Sequence, residues 1–81
     1  MKVRIDISLK SGVLDTQGKA IEDVMVKNLG FSEVSGVRQG KTIMFDVKDA
    51  DESIIAKMVD EACDKFLVNK VIEDYKFEII K

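Results

Sequence analysis

The chain has 81 residues and a mass of 9.1 kDa, and its 13 basic and 15 acidic side chains give a net charge of −2. This length fits one domain over residues 1–81, which would expose about 4,900 Å² as a compact monomer. A core of that size is marginal and usually needs a disulfide, a metal or a partner subunit. The single cysteine and the absence of histidine remove the first two, so association with a partner is favoured.

Charge and hydropathy exclude two further classes of partner. No apolar run has the length of a membrane span, and the first residues alternate in polarity where a signal peptide would be apolar. We therefore expect a cytoplasmic protein that contacts no membrane. A mildly acidic chain also lacks the concentrated positive surface that nucleic acid requires, although a small anionic ligand stays compatible with it.

The first half of the chain predicts one strand and one helix. Apolar and polar residues alternate over residues 3–9, as in a strand with one covered face. Asp15 then suits the N-cap of a helix over about residues 16–29, whose apolar residues recur at spacings of three and four. In that role, Asn would replace Asp15 without loss. Gly30 suits the left-handed residue that ends the helix.

A hairpin is predicted next. Residues 33–38 have the composition of a short strand, but the spacing of its two valines requires a bulge at Gly36 or a shifted register. Gln39 and Gly40 suit a tight turn, and the alternation over residues 42–47 predicts a third strand that pairs with the strand at 33–38 as a hairpin.

The last part predicts a second helix and a final strand. One apolar stripe runs from Ile55 to Leu67, and Tyr75, Phe77 and Ile79 alternate with polar residues. The element order is then β-α-β-β-α-β. This order predicts an α+β, ferredoxin-like two-layer sandwich, with an antiparallel sheet and both helices on one face. Many unrelated functions use this fold, so it does not identify an activity.

No catalytic or metal site is predicted from the residue types. Histidine, the commonest general base and metal ligand, is absent, and Cys63 lies on the apolar stripe of the second helix as a buried structural thiol. Adjacent carboxylates occur at Glu22-Asp23 and Glu73-Asp74 among other places. Because neighbouring helical side chains diverge by about 100°, we expect these acids to be solvated.

One near-motif lies at the predicted hairpin. Residues 36–42 resemble a phosphate-binding loop, but three residues separate the glycines where four are required, and a strand follows where a helix is needed. The simple interpretation is a turn with Arg38 and Lys41 near its tip. The alternative is that both cations meet an acidic partner surface or a substrate phosphate.

The predicted open face of the sheet carries mixed charges and no aromatic side chain on which a base could stack. This again excludes nucleic acid and suits docking on another sheet or subunit. The residues concerned are Arg4, Asp6, Thr42, Met44, Asp46, Lys76 and Glu78.

Three stretches carry a resemblance to a known family. Residues 9–20 (LKSGVLDTQGKA), 37–41 (VRQGK) and 69–75 (NKVIEDY) resemble the signature stretches of PurS, the small-subunit family of phosphoribosylformylglycinamidine synthase. They occur in the family's order and span essentially the whole chain. Thr16 and Lys70 stand where the family usually has proline, so both helix boundaries are expected to be less firmly defined.

The resemblance implies a non-catalytic subunit of an ATP-dependent ligase of purine biosynthesis. It implies no cofactor in this chain, because a large synthetase subunit uses ATP and Mg²⁺ and a glutaminase subunit releases ammonia. It also implies self-association as a homodimer or higher oligomer. The residues singled out are Arg38, Gly40, Lys41 and Lys10 as partner or phosphate contacts, and Asp15, Gln17, Gly18 and Asn69 as the family-motif loop.

Two other functions share this element order. A ligand-sensing domain of the ACT type would bind an amino acid at a dimer interface, usually with a Gly-rich loop after the first strand, of which Ser11-Gly12 is a poor version. The second alternative function is that of a plain interaction module.

Overall fold

Three strands and two helices make up the chain, whose computed structural model describes residues 1–81. The strands are β1 (Lys2–Leu9), β2 (Gly40–Asp46) and β3 (Glu73–Ile80). Helix α1 (Thr16–Asp23) continues into a π-helical turn (Val24–Asn28), and helix α2 (Glu52–Ala62) continues into another (Cys63–Leu67). Neither helix has the length and apolarity needed to cross a bilayer.

The sheet is antiparallel with the order β2-β1-β3, so β1 is the central strand. Its alternate residues Val3, Ile5 and Ile7 are buried, and Ile5 lies opposite Ile43 of β2 and Phe77 of β3. The period-two pattern of β1 therefore forms the middle of the core, as predicted.

Helix α2 covers this face of the sheet. Its Ile55, Val59 and Cys63 join the three β1 residues and Val68 in one buried cluster. Cys63 is fully buried, as predicted, and burial raises the pKa of its thiol above the ordinary value. A protonated thiol in this position acts as a small apolar side chain.

The opposite face of the sheet is polar, as the alternation predicted. Arg4 lies 3.5 Å from carboxylate oxygens of both Asp6 and Glu78, and the Thr42 hydroxyl donates to Asp6 at 2.9 Å. The contact with Asp6 lies within β1 and the other two cross between strands, so the charged groups of Arg4, Asp6 and Glu78 all have partners on this face.

The predicted hairpin at residues 33–42 is wrong. Residues 34–39 form no strand, and Gly40 continues from them directly as the first residue of β2, which pairs with β1. The Val37 and Gln39 amides donate to the carboxylates of Glu22 and Asp15, so they are not available to a strand of this chain. The observed order is that of a ferredoxin-like sheet without one edge strand, and the α+β class is confirmed.

Helix α1 differs from the prediction in position. None of its apolar side chains belongs to the core or packs against it, and Ile21 and Val24 are 42% and 49% exposed. The molecule is elongated, with extents of 49 × 27 × 15 Å and a radius of gyration of 16.2 Å, against about 12 Å for a compact chain of this length. Helical periodicity predicts that α1 has an apolar face, but it cannot say which surface covers that face.

Candidate partner-contact site

The three stretches that carry the family resemblance meet at one end of the sheet. β1 ends there while β2 and β3 begin, since Ser8 pairs with Gly40 and with Asp74, and Leu9 pairs with Glu73. The loop after β1, the segment before β2 and the turn before β3 are therefore neighbours in space.

Asp15 links two of these stretches. Its side chain is 6% exposed, and its two oxygens accept from the backbone amides of Gly18 at 2.8 Å and Gln39 at 2.7 Å. The pKa of the Asp15 carboxyl lies below its ordinary value, mainly because of the hydrogen bond from Gln39 and then that from Gly18. The nearby positive charge of Arg38 lowers it further. The predicted N-cap is confirmed. The same carboxylate also binds the segment before β2 through the Gln39 amide, which the sequence did not predict.

Arg38 is held by its own chain. Its guanidinium donates to the carbonyls of Leu9 at 3.0 Å, Lys10 at 3.2 Å and Val13 at 3.3 Å, and its Nε lies 4.0 Å from Asp15. Because there is no hairpin, Arg38 is not a charge at a turn tip. Its side chain ties the loop after β1 to the segment before β2, while 42% of it stays exposed.

Gly18 allows α1 to approach that segment closely. A Cβ built on Gly18 would lie 2.6 Å from the Val37 carbonyl oxygen and 2.7 Å from an Asp15 carboxylate oxygen. One turn further along α1, Glu22 accepts from the Val37 amide at 3.0 Å, which lowers the pKa of its carboxyl. Only glycine at position 18 fits this packing.

Glu73 connects the third of these stretches to the second. One oxygen accepts from the Asn69 amide at 2.8 Å, and the other lies 3.5 Å from the Lys41 ammonium. The Asn69 side chain accepts from the Val71 amide at 3.2 Å, which shapes the turn before β3. Lys10 lies 3.9 Å from an Asp74 oxygen across the same end of the sheet.

A shallow cleft of about 230 Å³ opens between these groups. The structure brings four of the predicted residues together in its wall, Asp15, Gln17, Gly40 and Lys41, and Gly18 packs against Asp15. Lys10 and Asn69 lie at its margin through their contacts with β3. The amide and ammonium groups of such a wall can donate to an anion. Its carboxylates can accept hydrogen bonds from the polar surface of a partner.

Two residues that hold these segments together were misjudged from the sequence. Glu22 and Glu73 were expected to be solvated, yet their side chains are only 21% and 15% exposed, and both accept backbone amides. The two residues lie in adjacent-acid pairs, which carry no signal of such partners. Glu73 does fall within the third family-like stretch, and this was the one available sign that it has a role.

Comparison with known proteins decides the family. Residues 2–81 match the family model PurS, described as Phosphoribosylformylglycinamidine (FGAM) synthase. The chain belongs to the PurS family. It is 38% identical to the PurS subunit of this synthase from Bacillus subtilis (strain 168), over 96% of this chain and 90% of that one. It is 41% identical to the PurS subunit from Synechocystis sp., over 94% of this chain and 75% of that one.

A solved structure extends the PurS comparison to a complex. In the structure of PurLQS from Thermotoga maritima, one chain matches this one with a TM-score of 0.88 and 33% identity, covering 98% of this chain and 95% of that chain. The fold described above therefore matches that of a PurS family member over nearly the whole chain.

Proposed function

We propose that this chain is the non-catalytic small subunit of a phosphoribosylformylglycinamidine synthase in purine biosynthesis. It assembles the synthetase and glutaminase subunits so that ammonia from glutamine aminates formylglycinamide ribonucleotide with ATP. The observation that carries this function is the near-complete match to one chain of PurLQS, at a TM-score of 0.88. The match favours an assembly subunit over an amino-acid sensor or an unrelated interaction module.

The residue chemistry supports a subunit that does not react with substrate. The one thiol, Cys63, is fully buried under α2, and the carboxylates of Asp15, Glu22 and Glu73 are occupied by backbone amides. ATP and Mg²⁺ are then bound by the large subunit. Ammonia is lost if the glutaminase and synthetase sites are not coupled, so a subunit that shapes their contact would be required for turnover.

Among the three cations predicted as partner contacts, Lys10 and Lys41 differ from Arg38 in donating to no backbone carbonyl. Their side chains are 42% and 57% exposed, and their ammonium groups lie 3.9 and 3.5 Å from acids of β3. Exposed ion pairs of this kind contribute about 0–1 kcal/mol, so exchanging them for a partner's carboxylate or a phosphate costs little. Arg38 already donates to three carbonyls, so in this role it would position the loop more than it binds.

Self-association is part of the proposal. The chain exposes 5,874 Å², whereas a compact monomer of its mass exposes about 4,900 Å². The surplus of about 1,000 Å² per chain is close to the roughly 800 Å² that each partner buries in a stable protein interface. A homodimer or higher oligomer would bring the exposed area of each copy to the ordinary value.

We place this function in the cytoplasm, together with the synthetase and glutaminase subunits of the proposed purine-biosynthesis enzyme. Immunoblotting of cytoplasmic and membrane fractions checks this, and accumulation in the membrane fraction would contradict it.

The decisive experiment reconstitutes glutamine-dependent synthase activity from the large and glutaminase subunits, with and without this chain. We expect activity only in its presence; equal activity in both mixtures would contradict the function.

The variant Lys10→Ala with Lys41→Ala should weaken assembly on size-exclusion chromatography, increasingly at higher salt. Its matched control is Lys48→Ala with Lys57→Ala, two exposed lysines away from the cleft, which should assemble like the wild type.

A further inference from the structure

Strand β3 forms one edge of the sheet, and no strand of the chain lies beyond it. The Lys10 amide donates to the Ile72 carbonyl at 2.8 Å, which fixes the phase of the ladder between β1 and β3. In an antiparallel ladder, alternate residues bond to a given neighbouring strand. The even-numbered residues of β3 therefore bond to β1, and the backbone groups of the odd-numbered residues from Tyr75 to Ile79 point outward.

This edge lacks the features that usually prevent pairing with another chain. β3 is eight residues long, contains no proline and pairs with β1 throughout without a bulge. Its inward side chains Tyr75, Phe77 and Ile79 are only half-buried, whereas Val3 and Ile5 of the central strand are fully buried. One further strand beyond β3 would cover these side chains and bond to the outward backbone groups.

The charges of β3 select one register for pairing with a second copy. Two antiparallel registers overlap the strands most while joining their outward backbone groups. In one register Lys76 lies opposite Lys76 and each Asp74 lies opposite Glu78, so like charges meet. In the other, Phe77 lies opposite Phe77 and each Lys76 lies opposite Glu78 of the second copy. Opposite charges stabilise a cross-strand pair and like charges destabilise it, so the second register is favoured.

Both charged side chains of that register are available to a second copy. Lys76 is exposed and takes part in none of the ion pairs within the chain. Glu78 is 61% exposed, and one of its oxygens lies 3.5 Å from Arg4. The other oxygen is left for an ammonium group across the edge.

We propose that β3 pairs with β3 of a second copy around a twofold axis, with Phe77 opposite Phe77. The two three-stranded sheets then form one continuous sheet in the order β2-β1-β3-β3-β1-β2, with α2 of both copies on the same side. About six backbone hydrogen bonds join the copies. A foreign strand could bond to the same backbone groups, but the charges of β3 are complementary to themselves, which favours a second copy. This inference rests on the self-association proposed above and names one surface of it.

Charge reversal at the edge tests this pairing. Light scattering should give the wild type a multiple of 9.1 kDa. Lys76→Glu and Glu78→Lys each place like charges opposite each other twice, so each variant alone should have half the wild-type molar mass. An equimolar mixture of the two variants should recover the wild-type mass, because each reversed side chain then meets one of opposite charge.

The mixture separates contacts between copies from contacts within a chain. Any effect of a substitution on its own fold is the same alone and in the mixture, so recovery arises only between copies. The matched control is Lys48→Glu, which reverses an exposed lysine beyond the end of β2 and should keep the wild-type mass. Variants that keep the wild-type mass, or a mixture that stays at half of it, would overturn the proposal.

Hydrogen exchange tests which edge is paired. The outward amides of Tyr75, Phe77 and Ile79 should be protected in the wild type and exchange about tenfold faster in either variant. The Asp74 amide, which bonds to β1 in both states, is the internal reference. Equal exchange in wild type and variants would rule out pairing at this edge. Protection that appears only after a synthetase or glutaminase subunit is added would assign the edge to a partner strand and overturn the pairing of two copies.

Failure of this inference and of the proposed function give different results. A wild type that associates, with variants of unchanged mass, would retain self-association and refute pairing through β3. A wild type that is monomeric at all concentrations would refute both of these. The reconstituted synthase activity tests the subunit function independently of either outcome.

Discussion

Gly18→Ala should destabilise this protein, although Gly to Ala inside a helix ordinarily stabilises it. The ordinary gain is about 0.5–1 kcal/mol, because alanine has less backbone freedom to lose on folding. Here the new methyl group would lie 2.6 Å from the Val37 carbonyl oxygen and 2.7 Å from an Asp15 carboxylate oxygen. Optimal non-bonded separations are about 3.5–4 Å, so one of these groups must move.

Neither group can move freely. The Asp15 carboxylate is held by the Gly18 and Gln39 amides, and Val37 is held through its own amide by Glu22. Overpacking of this kind costs about 1–3 kcal/mol, which exceeds the propensity gain. We expect a net loss of about 1–2 kcal/mol in the free energy of unfolding. A domain of this size loses about 4–8 °C in Tm for each kcal/mol.

Thermal unfolding followed by circular dichroism measures this change. The control is Gln17→Ala, an exposed neighbour in the same helical turn, which should stay within about 0.5 kcal/mol of the wild type. If Gly18→Ala melts at or above the wild-type temperature, the packing of α1 against residues 37–39 does not exclude a methyl group. Helix propensity alone would then determine the effect of substitution at position 18.

Three further predictions follow from buried or paired groups. Asp15→Asn should lower Tm at neutral pH, because the Gly18 and Gln39 amides donate to different carboxylate oxygens, and the NH2 group that replaces one oxygen would face one of these donors. Since the folded-state pKa of Asp15 is lowered, its stabilising effect is complete above about pH 4 and is lost as pH falls through that lowered pKa; melting scans should show a flatter acid limb in the variant. Cys63→Ser should cost about 1–3 kcal/mol in urea unfolding, by placing a hydroxyl in an apolar site, while reconstituted synthase activity persists below the melting point. Loss of activity in a folded Cys63→Ser protein would instead point to a reactive thiol. Hydrogen bonding to Asp60 at 2.8 Å raises the pKa of Tyr75, the only tyrosine, to about 12; its near-ultraviolet titration should shift toward 10 in Asp60→Asn, and an unchanged midpoint would contradict this cause.

The strands and helices that the sequence determined are those whose signal is local. Alternation over residues 3–9 places Val3, Ile5 and Ile7 on one side of β1 in any sheet, and one apolar stripe defines the buried side of α2. The capping role of Asp15 is local too, because the carboxylate reaches an amide only three residues away. Burial of Cys63 follows from its place on that stripe.

The tertiary structure decided whatever depends on distant partners. Residues 33–38 have the composition of a strand, but their amides meet Glu22 and Asp15, which are 15 and 24 residues away from Val37 and Gln39 in the chain. Arg38 has the pattern of a free surface cation and instead donates to three carbonyls of the loop after β1. No periodicity encodes these pairings, because each depends on how the ends of the strands meet.

The position of α1 shows the same division most clearly. Its spacing of apolar residues determined that one face must be covered, and this requirement holds whether the covering surface lies in the same chain or in another. Which surface is used depends on the direction in which the chain leaves Gln39 toward β2. That direction is fixed by long-range hydrogen bonds and close backbone packing at Gly18, which only the folded structure contains.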